Sequence, residues 1–221
     1  MTKGIFITGT DTGVGKTYVA VNIAAALKRR GIDAGVMKPV ETGCRVRAGR
    51  LVPRDTLRLI KTAGVCDSIS LVNPYRFHNP VAPFVAAGLE NKKIEPVKII
   101  STYQKLSKRH NFMIVEGAGG IMVPLSRTYL YLDLAEDVGL PVMIVARPGL
   151  GTINHTLLTI AALRAREIPI AGVVVNYTES RKPGLAEKTN PEVIEKISGV
   201  KVLGIIPFGS KDIVMIVDCL K

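Results

Sequence analysis

An α/β fold with a mostly parallel, doubly wound sheet and helices on both of its faces is the fold class that this sequence predicts. Apolar runs of strand length alternate with longer segments of helical period along the chain. The apolar runs are continuous in Val, Ile and Met, which is typical of strands buried on both faces. In such sheets a ligand lies beyond the carboxyl ends of the strands, so the residues that follow each strand are the candidates for function.

The first half of the chain begins with a strand at 4–9, because GIFITG is an apolar run between glycines. A helix at 16–30 follows, since small and branched apolar residues recur at helical spacing until a glycine stops them. The run DAGVMKPV predicts a second strand at 33–40. Amphipathic spacing then predicts a short helix at 54–64 and a longer one at 94–109.

The second half repeats the same strand-and-helix unit. Its strands are predicted from the apolar runs within NFMIVEGAGG, LPVMIVAR, IPIAGVVVN and KVLGIIP, and its helices from the periodic segments between them. In chain order these elements are strand 111–120, helix 130–139, strand 140–147, helix 153–167, strand 168–176, helix 190–199 and strand 201–207.

The composition predicts one domain that spans the whole chain, 1–221. A chain of 221 residues with 47% apolar residues is long enough to bury a core without disulfide or metal support. The three cysteines, Cys44, Cys66 and Cys219, are odd in number and widely spaced, so neither a disulfide framework nor a metal knuckle is indicated. The best candidate for a membrane span is interrupted by Arg147, and the first residues do not resemble a signal peptide. We therefore expect a cytoplasmic protein that does not insert into a membrane.

The net charge of +12, from 30 basic and 18 acidic residues, is compatible with a nucleic-acid partner, an anionic small substrate or an ordinary basic surface. The basic residues are scattered, and several fall at the ends of predicted helices, where cations suit the helix dipole. Aromatic residues make up only 5% of the chain and are not interleaved with basic ones, as stacking on bases would require. The pattern favours a solvated basic surface and no nucleic-acid partner. No function is predicted for the charged segment 45–54.

A phosphate-binding loop is predicted between the first strand and the first helix. Such loops end in Gly-Lys-Ser/Thr, as Gly15-Lys16-Thr17 does here, but the usual pattern also needs glycine at position 10, where this chain has Thr10. Free backbone N–H groups at the start of the helix would bind phosphate. Lys16 would reach the terminal phosphates, and the Thr17 hydroxyl would be a ligand of Mg²⁺.

Charged residues lie near the ends of other predicted strands and helices. Lys38 is either a solvated strand end or a second ammonium that neutralises charge during phosphoryl transfer. Glu116 follows an apolar run, where an unpaired buried carboxylate would be costly and a Mg²⁺ ligand is expected. The glycines after it, Gly117 and Gly119, allow the backbone to approach a ligand closely. Asp55 opens a predicted helix, where it either caps that helix or binds the metal.

A second anion site is predicted where the segment RPGLGT leads into the helix at 153–167, whose first N–H groups would be free. Asn154 in that first turn is equally well explained as a helix cap. The strand that ends at Asn176 brings an amide to the same edge of the sheet, where it could pair with the edge of an adenine ring. Pro207 and Phe208 follow the last strand in a position to flank a base.

These residues together resemble the dethiobiotin synthetase family, and the resemblance covers essentially the whole chain. It is carried by TGTDTGVGKT, KPVETG, NPY, VEGAGG, GLGTINH and VVVN. The family's loop has the same Gly-Thr-Asp-Thr opening, so Thr10 in place of glycine marks this family rather than an accidental match. The resemblance implies a P-loop NTPase type of fold.

The resemblance also implies an ATP-dependent ligase of biotin biosynthesis. One amine of 7,8-diaminononanoate takes up CO2 as a carbamate, and the γ-phosphate of ATP activates this carbamate as a mixed anhydride. The second amine then closes the cyclic urea, which gives dethiobiotin, ADP and phosphate. Mg²⁺ is the implied cofactor, ATP is a co-substrate, and a homodimer is the implied assembly.

Site residues are assigned by the same resemblance. Lys38 and Lys16 are implied as catalytic, and the Mg²⁺ ligands are Thr17, Asp55 and Glu116. ATP binding is implied for Thr12, Gly13, Val14, Gly15, Lys16, Thr17, Tyr18, Asp55, Glu116, Gly117, Ala118, Gly119, Asn176, Tyr177, Ile206, Pro207 and Phe208. The substrate site is implied at Thr42 and, with the substrate carboxylate bound across the two-fold axis of a dimer, at Gly149, Leu150, Gly151, Thr152, Ile153 and Asn154.

Three other functions compete with this one. A partitioning-type ATPase that binds DNA or membrane would share the fold, but its loop resembles KGGVGKT, whereas this chain has Asp11 where the lysine would stand. A cobyrinate-type synthetase would need a glutaminase half, for which 221 residues leave no room. A binding module without chemistry is disfavoured because the lysines, threonine and carboxylates of the site are all present.

Overall fold

The computed structural model describes residues 3–211 and 213–219, and it confirms a doubly wound α/β fold around one parallel sheet. The strands are β1 (Lys3–Gly9), β2 (Ala34–Met37), β3 (Val40–Glu41), β4 (Arg45–Arg47), β5 (Arg50–Val52), β6 (Tyr75–Arg76), β7 (Phe112–Gly120), β8 (Val142–Ala146), β9 (Ile170–Asn176) and β10 (Val202–Ile206). The helices are α1 (Lys16–Arg29), α2 (Arg54–Ala63), α3 (Ile69–Val72), α4 (Pro83–Leu89), α5 (Pro96–Ser107), α6 (Tyr131–Val138), α7 (Thr152–Arg164), α8 (Leu185–Ser198) and α9 (Val214–Asp218).

The central sheet has six strands in the order β10-β9-β8-β1-β7-β2, and every neighbouring pair is parallel. Ile7 of β1 pairs with Glu116 of β7, and Met37 of β2 pairs with Val115. Because the residue after Met37 is Lys38, this register brings Lys38 beside Glu116. Both residues then lie at the carboxyl edge of the sheet, next to the loop that follows β1.

Side chains of the sheet are buried on both of its faces, as the continuous apolar runs predict. On β1, Phe6 belongs to the hydrophobic core of one face, whereas Ile5 and Ile7 belong to the core of the other. Met113 and Ile114 of β7 divide in the same way. Among the residues described, no helix is both long and apolar enough to cross a membrane.

Several short elements leave no signal in the sequence. The second strand ends at Met37 rather than at residue 40, because Lys38 N donates to Val72 O and the chain then pairs β3 with β6 in a separate two-stranded sheet. The charged segment 45–54 contains an antiparallel hairpin formed by β4 and β5, in which the three β4 residues are exposed. Elements of two to four residues, such as β6 and α3, are too short for a periodic pattern.

The helix predicted at 190–199 begins earlier, at Leu185. The predicted start was wrong because an Asn-Pro pair at 190 resembles the first residues of a helix. In the structure Glu187 accepts a backbone hydrogen bond of 3.0 Å from the residue before the helix and closes its first turn. Asn190 instead donates to Pro148 O at 2.9 Å, which ties α8 to the segment ahead of α7.

Candidate active site

The loop between β1 and α1 has the backbone geometry of an anion site. Gly13 and Gly15 have φ angles of 78° and 92°, in the left-handed region that favours glycine. Helix α1 begins at Lys16 with no side-chain cap and with no acidic residue in its first turn. Its first N–H groups are therefore available to an anion, and the helix dipole adds partial positive charge at the same place.

The end of β9 holds this loop in place. Asn176 is buried, and its Nδ2 donates to the carbonyl oxygen of Val14 at 2.9 Å. A Cβ atom at position 15 would collide with the same Nδ2, so Gly15 is required by its neighbour as well as by its φ angle. Among the described residues, Asn176 Oδ1 has no hydrogen-bond partner, which leaves one acceptor for a ligand.

Lys38 lies at the centre of a polar cluster with Thr17, Asp55 and Glu116. Its Nζ is 2.6 Å from Glu116 Oε1 and 2.9 Å from Asp55 Oδ2. The Thr17 hydroxyl oxygen is 2.6 Å from Glu116 Oε1 and 3.1 Å from Asp55 Oδ2. Lys38 is 5% exposed and Glu116 is 0% exposed, so Lys38 is not a solvated strand end. We call these four residues the polar cluster.

Charges in the polar cluster shift the pKa values of its members. Burial alone would lower the pKa of Lys38, but the carboxylates of Glu116 and Asp55 outweigh burial and raise that pKa above its ordinary value. Burial would raise the pKa of Asp55, but the Lys38 ammonium and the Thr17 hydrogen bond lower it. Burial lowers the pKa of Lys16 to about 8, against the opposing effect of Glu116. Lys38 is thus held charged, whereas the lowered pKa of Lys16 lets its amine lose a proton more readily than an ordinary lysine.

The oxygen atoms of the polar cluster fit a magnesium ion. Mg²⁺ prefers oxygen ligands and usually takes one or two carboxylates, with water and phosphate oxygens completing its shell. Thr17, Asp55 and Glu116 place one hydroxyl and two carboxylates around Lys38 Nζ. The buried Glu116 Oε2 accepts no hydrogen bond from the part of the chain that the structure describes. No group of three or more His, Cys, Asp or Glu side chains suited to a metal occurs in residues 3–211 and 213–219. One hydroxyl and two carboxylates suit a magnesium ion whose other ligands are phosphate and water oxygens.

A cavity of about 460 Å³ opens over the polar cluster. It brings together most residues that the sequence predicts for phosphate, metal and catalysis: Thr12, Gly13, Gly15, Lys16, Thr17, Lys38, Thr42, Asp55, Glu116, Gly117, Ala118 and Gly119. Its other lining residues are not predicted: Val40, Glu41, Pro80, Val81, Ala82, Pro83 and Val123. One wall of the cavity is formed by residues 80–83. The closely spaced prolines of NPVAP could have indicated a rigid segment there, since proline stiffens an extended chain.

Comparison with known proteins identifies the family. A family model described as an AAA domain matches residues 3–211. Relatives named ATP-dependent dethiobiotin synthetase BioD include those of Thermodesulfovibrio yellowstonii, 43% identical over 94% of this chain and 90% of the relative, and Methanocaldococcus jannaschii, 41% identical over 91% and 92%. The chain belongs to the dethiobiotin synthetase family. A relative of the same name from Aquifex aeolicus is 43% identical over 89% of this chain and 86% of its own length.

Solved structures share the fold of this member of the dethiobiotin synthetase family. A ParA family ATPase from Chlorobium tepidum has a TM-score of 0.57 at 18% identity, over 100% of this chain and 89% of that chain. The MinD cell division protein of Aquifex aeolicus has a TM-score of 0.58 at 19% identity, over 99% and 86%. At these identities the similarity shows the fold alone, which is the doubly wound P-loop type.

The helix start that the family resemblance assigns to the substrate carboxylate borders a second cavity, which adjoins the first at Thr12 and Gly13. Gly149 and Leu150 line this second cavity of about 400 Å³ together with Tyr177, whereas Thr42 lines only the first. Within one chain, the two parts of the predicted substrate site therefore do not share a cavity. Four more residues of the predicted set line neither cavity: Gly151, Thr152, Ile153 and Asn154.

The segment after β10, which the sequence predicts beside a base, lies at the surface. Phe208 is 57% exposed, and the proline before it is exposed as well. Tyr177 N donates to Ile206 O at 2.9 Å and joins this segment to the end of β9. The Tyr18 hydroxyl donates to the carbonyl oxygen of Ser210 at 2.6 Å and joins it to α1. The Ile206 side chain is buried, so it does not face the surface beside Phe208.

Proposed function

We propose that this chain makes dethiobiotin, a step of biotin biosynthesis, from 7,8-diaminononanoate, CO2 and ATP, with ADP and phosphate as the other products. Relatives that are named ATP-dependent dethiobiotin synthetase and match over nearly the whole chain support this proposal. The structural observation that links this reaction to particular residues is the polar cluster beside the phosphate-binding loop. One cavity there combines an ammonium group, metal-binding oxygens and the start of α1.

The proposed reaction has three steps. One amine of the diamine adds to CO2 and loses a proton, which gives a carbamate. A carbamate oxygen attacks the γ-phosphorus of ATP, the bond to ADP breaks, and a carbamic-phosphoric mixed anhydride forms. The second amine attacks the carbamoyl carbon, loses a proton and expels phosphate, which closes the ring. Negative charge shifts onto oxygen atoms in each step, so cationic groups at fixed positions lower the barriers.

Lys16 and Lys38 are the proposed catalytic residues. Lys16 stabilises the transferring phosphoryl group, and contact with phosphates favours its charged form. Lys38 stabilises the carbamate and the mixed anhydride, and it stays charged because Glu116 and Asp55 raise its pKa. Thr17 and these two carboxylates would hold Mg²⁺. When bound, this ion supplies positive charge to the phosphate oxygens.

ATP contacts follow from the same arrangement. We propose that the phosphates bind the loop residues 12–18 and the glycine-rich end of β7 at 116–119. The adenine amino group would donate to Asn176 Oδ1, which has no hydrogen-bond partner within residues 3–211 and 213–219. Tyr177 and the segment 206–208 would flank the base.

A homodimer would complete the diamine site. Thr42 lines the cavity of the polar cluster, but residues 149–154 do not. Their helix start would therefore bind the carboxylate of a diamine held in the cavity of a second copy, since free N–H groups at the start of a helix bind anions. Each chain, 1–221, would act as one domain in the cytoplasm, with no nucleic-acid or membrane partner.

A partitioning-type ATPase is the second candidate, because its fold is the same and the net charge of +12 is compatible with binding to DNA. Asp11 argues against it. The Asp11 carboxylate accepts a hydrogen bond from Thr12 N at 2.7 Å. Partitioning-type ATPases have a lysine at this position, and that lysine reaches the nucleotide of the partner subunit. An aspartate has the opposite charge and cannot make this contact.

The deciding experiment measures phosphate release from Mg·ATP with and without diaminononanoate and bicarbonate, while dethiobiotin is followed by mass spectrometry. We expect phosphate and dethiobiotin to appear together, and only when both co-substrates are present. A rate of phosphate release that is the same with and without the diamine, but that rises with added DNA, would assign the chain to the partitioning-type ATPases instead.

A further inference from the structure

Helix α2 begins without a capping side chain of its own. Its N-cap position is occupied by Pro53, and no side-chain hydrogen bond is made there. The first N–H groups of a helix have no partners within it, so they need acceptors from elsewhere. Asp55, a proposed magnesium ligand, is the second residue of this helix. How the start of α2 is held therefore decides where the Asp55 carboxylate lies.

Glu41 supplies the missing acceptors from β3. Its Oε1 accepts a hydrogen bond from Asp55 N at 3.1 Å, and its Oε2 accepts from Thr56 N at 2.9 Å and from Thr56 Oγ1 at 2.7 Å. Glu41 is only 6% exposed. Both of its oxygens are engaged with α2, and its negative charge lies at the positive end of the helix dipole.

The other contacts of Asp55 are made to groups that also serve the nucleotide. Its carboxylate is bonded to Lys38 Nζ at 2.9 Å and to Thr17 Oγ1 at 3.1 Å, and its side chain is 45% exposed. Both partners have proposed roles toward ATP. The backbone anchor through Glu41 involves neither of these two groups.

We propose that Glu41 is a positioning residue that holds Asp55 in place for the magnesium-bound nucleotide. Glu41 follows Lys38 by three positions and directly precedes Thr42. It thus connects the segment that carries the active-site lysine with the helix that carries the metal ligand. The inference rests on the magnesium site of the proposed function and on no later step of the reaction.

The test compares Glu41→Gln with Thr56→Val as a matched control. Glutamine keeps the size of the side chain, but its amide nitrogen cannot accept the N–H bonds of α2. Valine removes the hydroxyl bond to Glu41 and leaves the bond to Asp55 N. Equilibrium binding of the non-hydrolysable analogue adenosine 5′-(β,γ-imido)triphosphate is measured over a series of MgCl2 concentrations. Thermal unfolding of each ligand-free variant is recorded alongside.

We expect Glu41→Gln to raise the magnesium concentration for half-maximal enhancement of binding by about tenfold or more, as loss of groups that orient metal ligands does. Thr56→Val should leave this magnesium response close to that of the unmodified chain, although both variants unfold at lower temperature. Equal magnesium responses in the two variants would overturn the inference and make Glu41 a helix cap only. Should Glu41→Gln not fold, Glu41→Asp keeps the charge, shortens the reach and permits the same comparison.

Measurements on the unmodified chain distinguish a failure of this inference from a failure of the proposed function. Absence of any magnesium response in the unmodified chain would overturn the proposed magnesium site, and the role of Glu41 with it. A normal magnesium response without dethiobiotin formation would overturn the proposed reaction alone. The comparison of Glu41→Gln with Thr56→Val would then still decide the positioning role.

Discussion

Lys38 and Glu116 form a buried ion pair at the carboxyl edge of the central sheet, with Nζ and Oε1 2.6 Å apart. The residues before them, Met37 and Val115, are partners in the pairing of β2 with β7, so the register of the sheet sets this contact. A buried charge is costly without a partner, and here each residue supplies the charge that the other needs. An ammonium group is thereby kept charged and in place beside the phosphate-binding loop.

Replacement of Lys38 by alanine is expected to remove most turnover and to preserve nucleotide binding. Lys38 lies outside the phosphate loop, but it faces the place where charge develops in the proposed transfer, and loss of one such group costs on the order of 10²–10³ in kcat. Turnover is measured as the steady-state rate of dethiobiotin formation, and nucleotide binding is measured as the affinity for ADP by calorimetry. Lys92→Ala, which removes an exposed ammonium paired with Glu90, is the control. Unchanged turnover in Lys38→Ala would exclude Lys38 from the mechanism.

Glu116→Gln is expected to lower the affinity for the magnesium ion that supports nucleotide binding. The change keeps the size of the side chain but removes the charge and one of the oxygen ligands proposed for Mg²⁺. About tenfold more magnesium or higher should be needed for half-maximal binding of ADP, because metal affinity falls steeply when a charged ligand is lost. Binding measured over a series of magnesium concentrations checks this. An unaltered response would mean that Glu116 has only a structural role, as the partner of Lys38 and Thr17.

Proton uptake is expected when a nucleotide binds above neutral pH. Burial lowers the pKa of Lys16 to about 8 in the free chain, so the amine is increasingly neutral as the pH rises past that value. Bound phosphates favour the ammonium form and raise this pKa again, so binding takes up a proton and weakens with rising pH. Calorimetry in two buffers of different ionisation enthalpy measures the uptake at about pH 6.5 and about pH 8.5. Equal uptake at both pH values would contradict the prediction.

Gly15→Ala is expected to abolish nucleotide binding, whereas Gly13→Ala should only reduce it. Both positions have positive φ angles, so alanine costs about 1–2 kcal/mol of backbone strain at each. A Cβ atom at position 13 meets open space, but at position 15 it would displace the Asn176 amide that holds Val14. ADP affinity and unfolding temperature measure the difference. Equal losses in the two variants would show that Asn176 does not hold the loop.

Two inactive variants are expected to restore part of the activity when they are mixed and refolded together. Lys38→Ala disables the cavity of its own chain, and Asn154→Asp places a negative charge in the first turn of α7, where it repels the substrate carboxylate that this helix start is proposed to bind for the other chain. Half of the dimers are then mixed and contain one intact site of two, so about a quarter of the unmodified activity should return. Dethiobiotin formation by the mixture measures this recovery. Activity equal to the sum of the separate variants would place the whole substrate site within one chain.

The layered fold could be predicted because its signals are local. Buried parallel strands are continuous apolar runs, and the helices between them repeat their apolar residues every three or four positions. Gly13 and Gly15 marked the loop, since other residues rarely adopt positive φ angles. The short strands β3 and β6 could not be predicted in this way, because a pair of two-residue strands has no period.

The sequence pointed to residues of the polar cluster but left more than one role open for them. Asp55 was either a helix cap or a metal ligand, and the structure shows that its N–H is itself capped by Glu41 while its carboxylate faces Lys38. No local pattern points to Glu41, because its partners lie 14 and 15 positions away on another element. The helix start of α7 had a clear sequence signal, but its separation from Thr42 depends on where the two segments lie in the fold.

Apolar periodicity and glycine placement in the chain were sufficient to predict the strands of the central sheet, most of the helices that flank it and the phosphate-binding loop. Only the tertiary structure decided that Lys38 is buried between Asp55 and Glu116 rather than solvated. Lys38 and Glu116 are 78 positions apart, and their contact depends on the register between β2 and β7. That register results from the packing of the whole sheet, because it is the arrangement that buries both apolar faces at once.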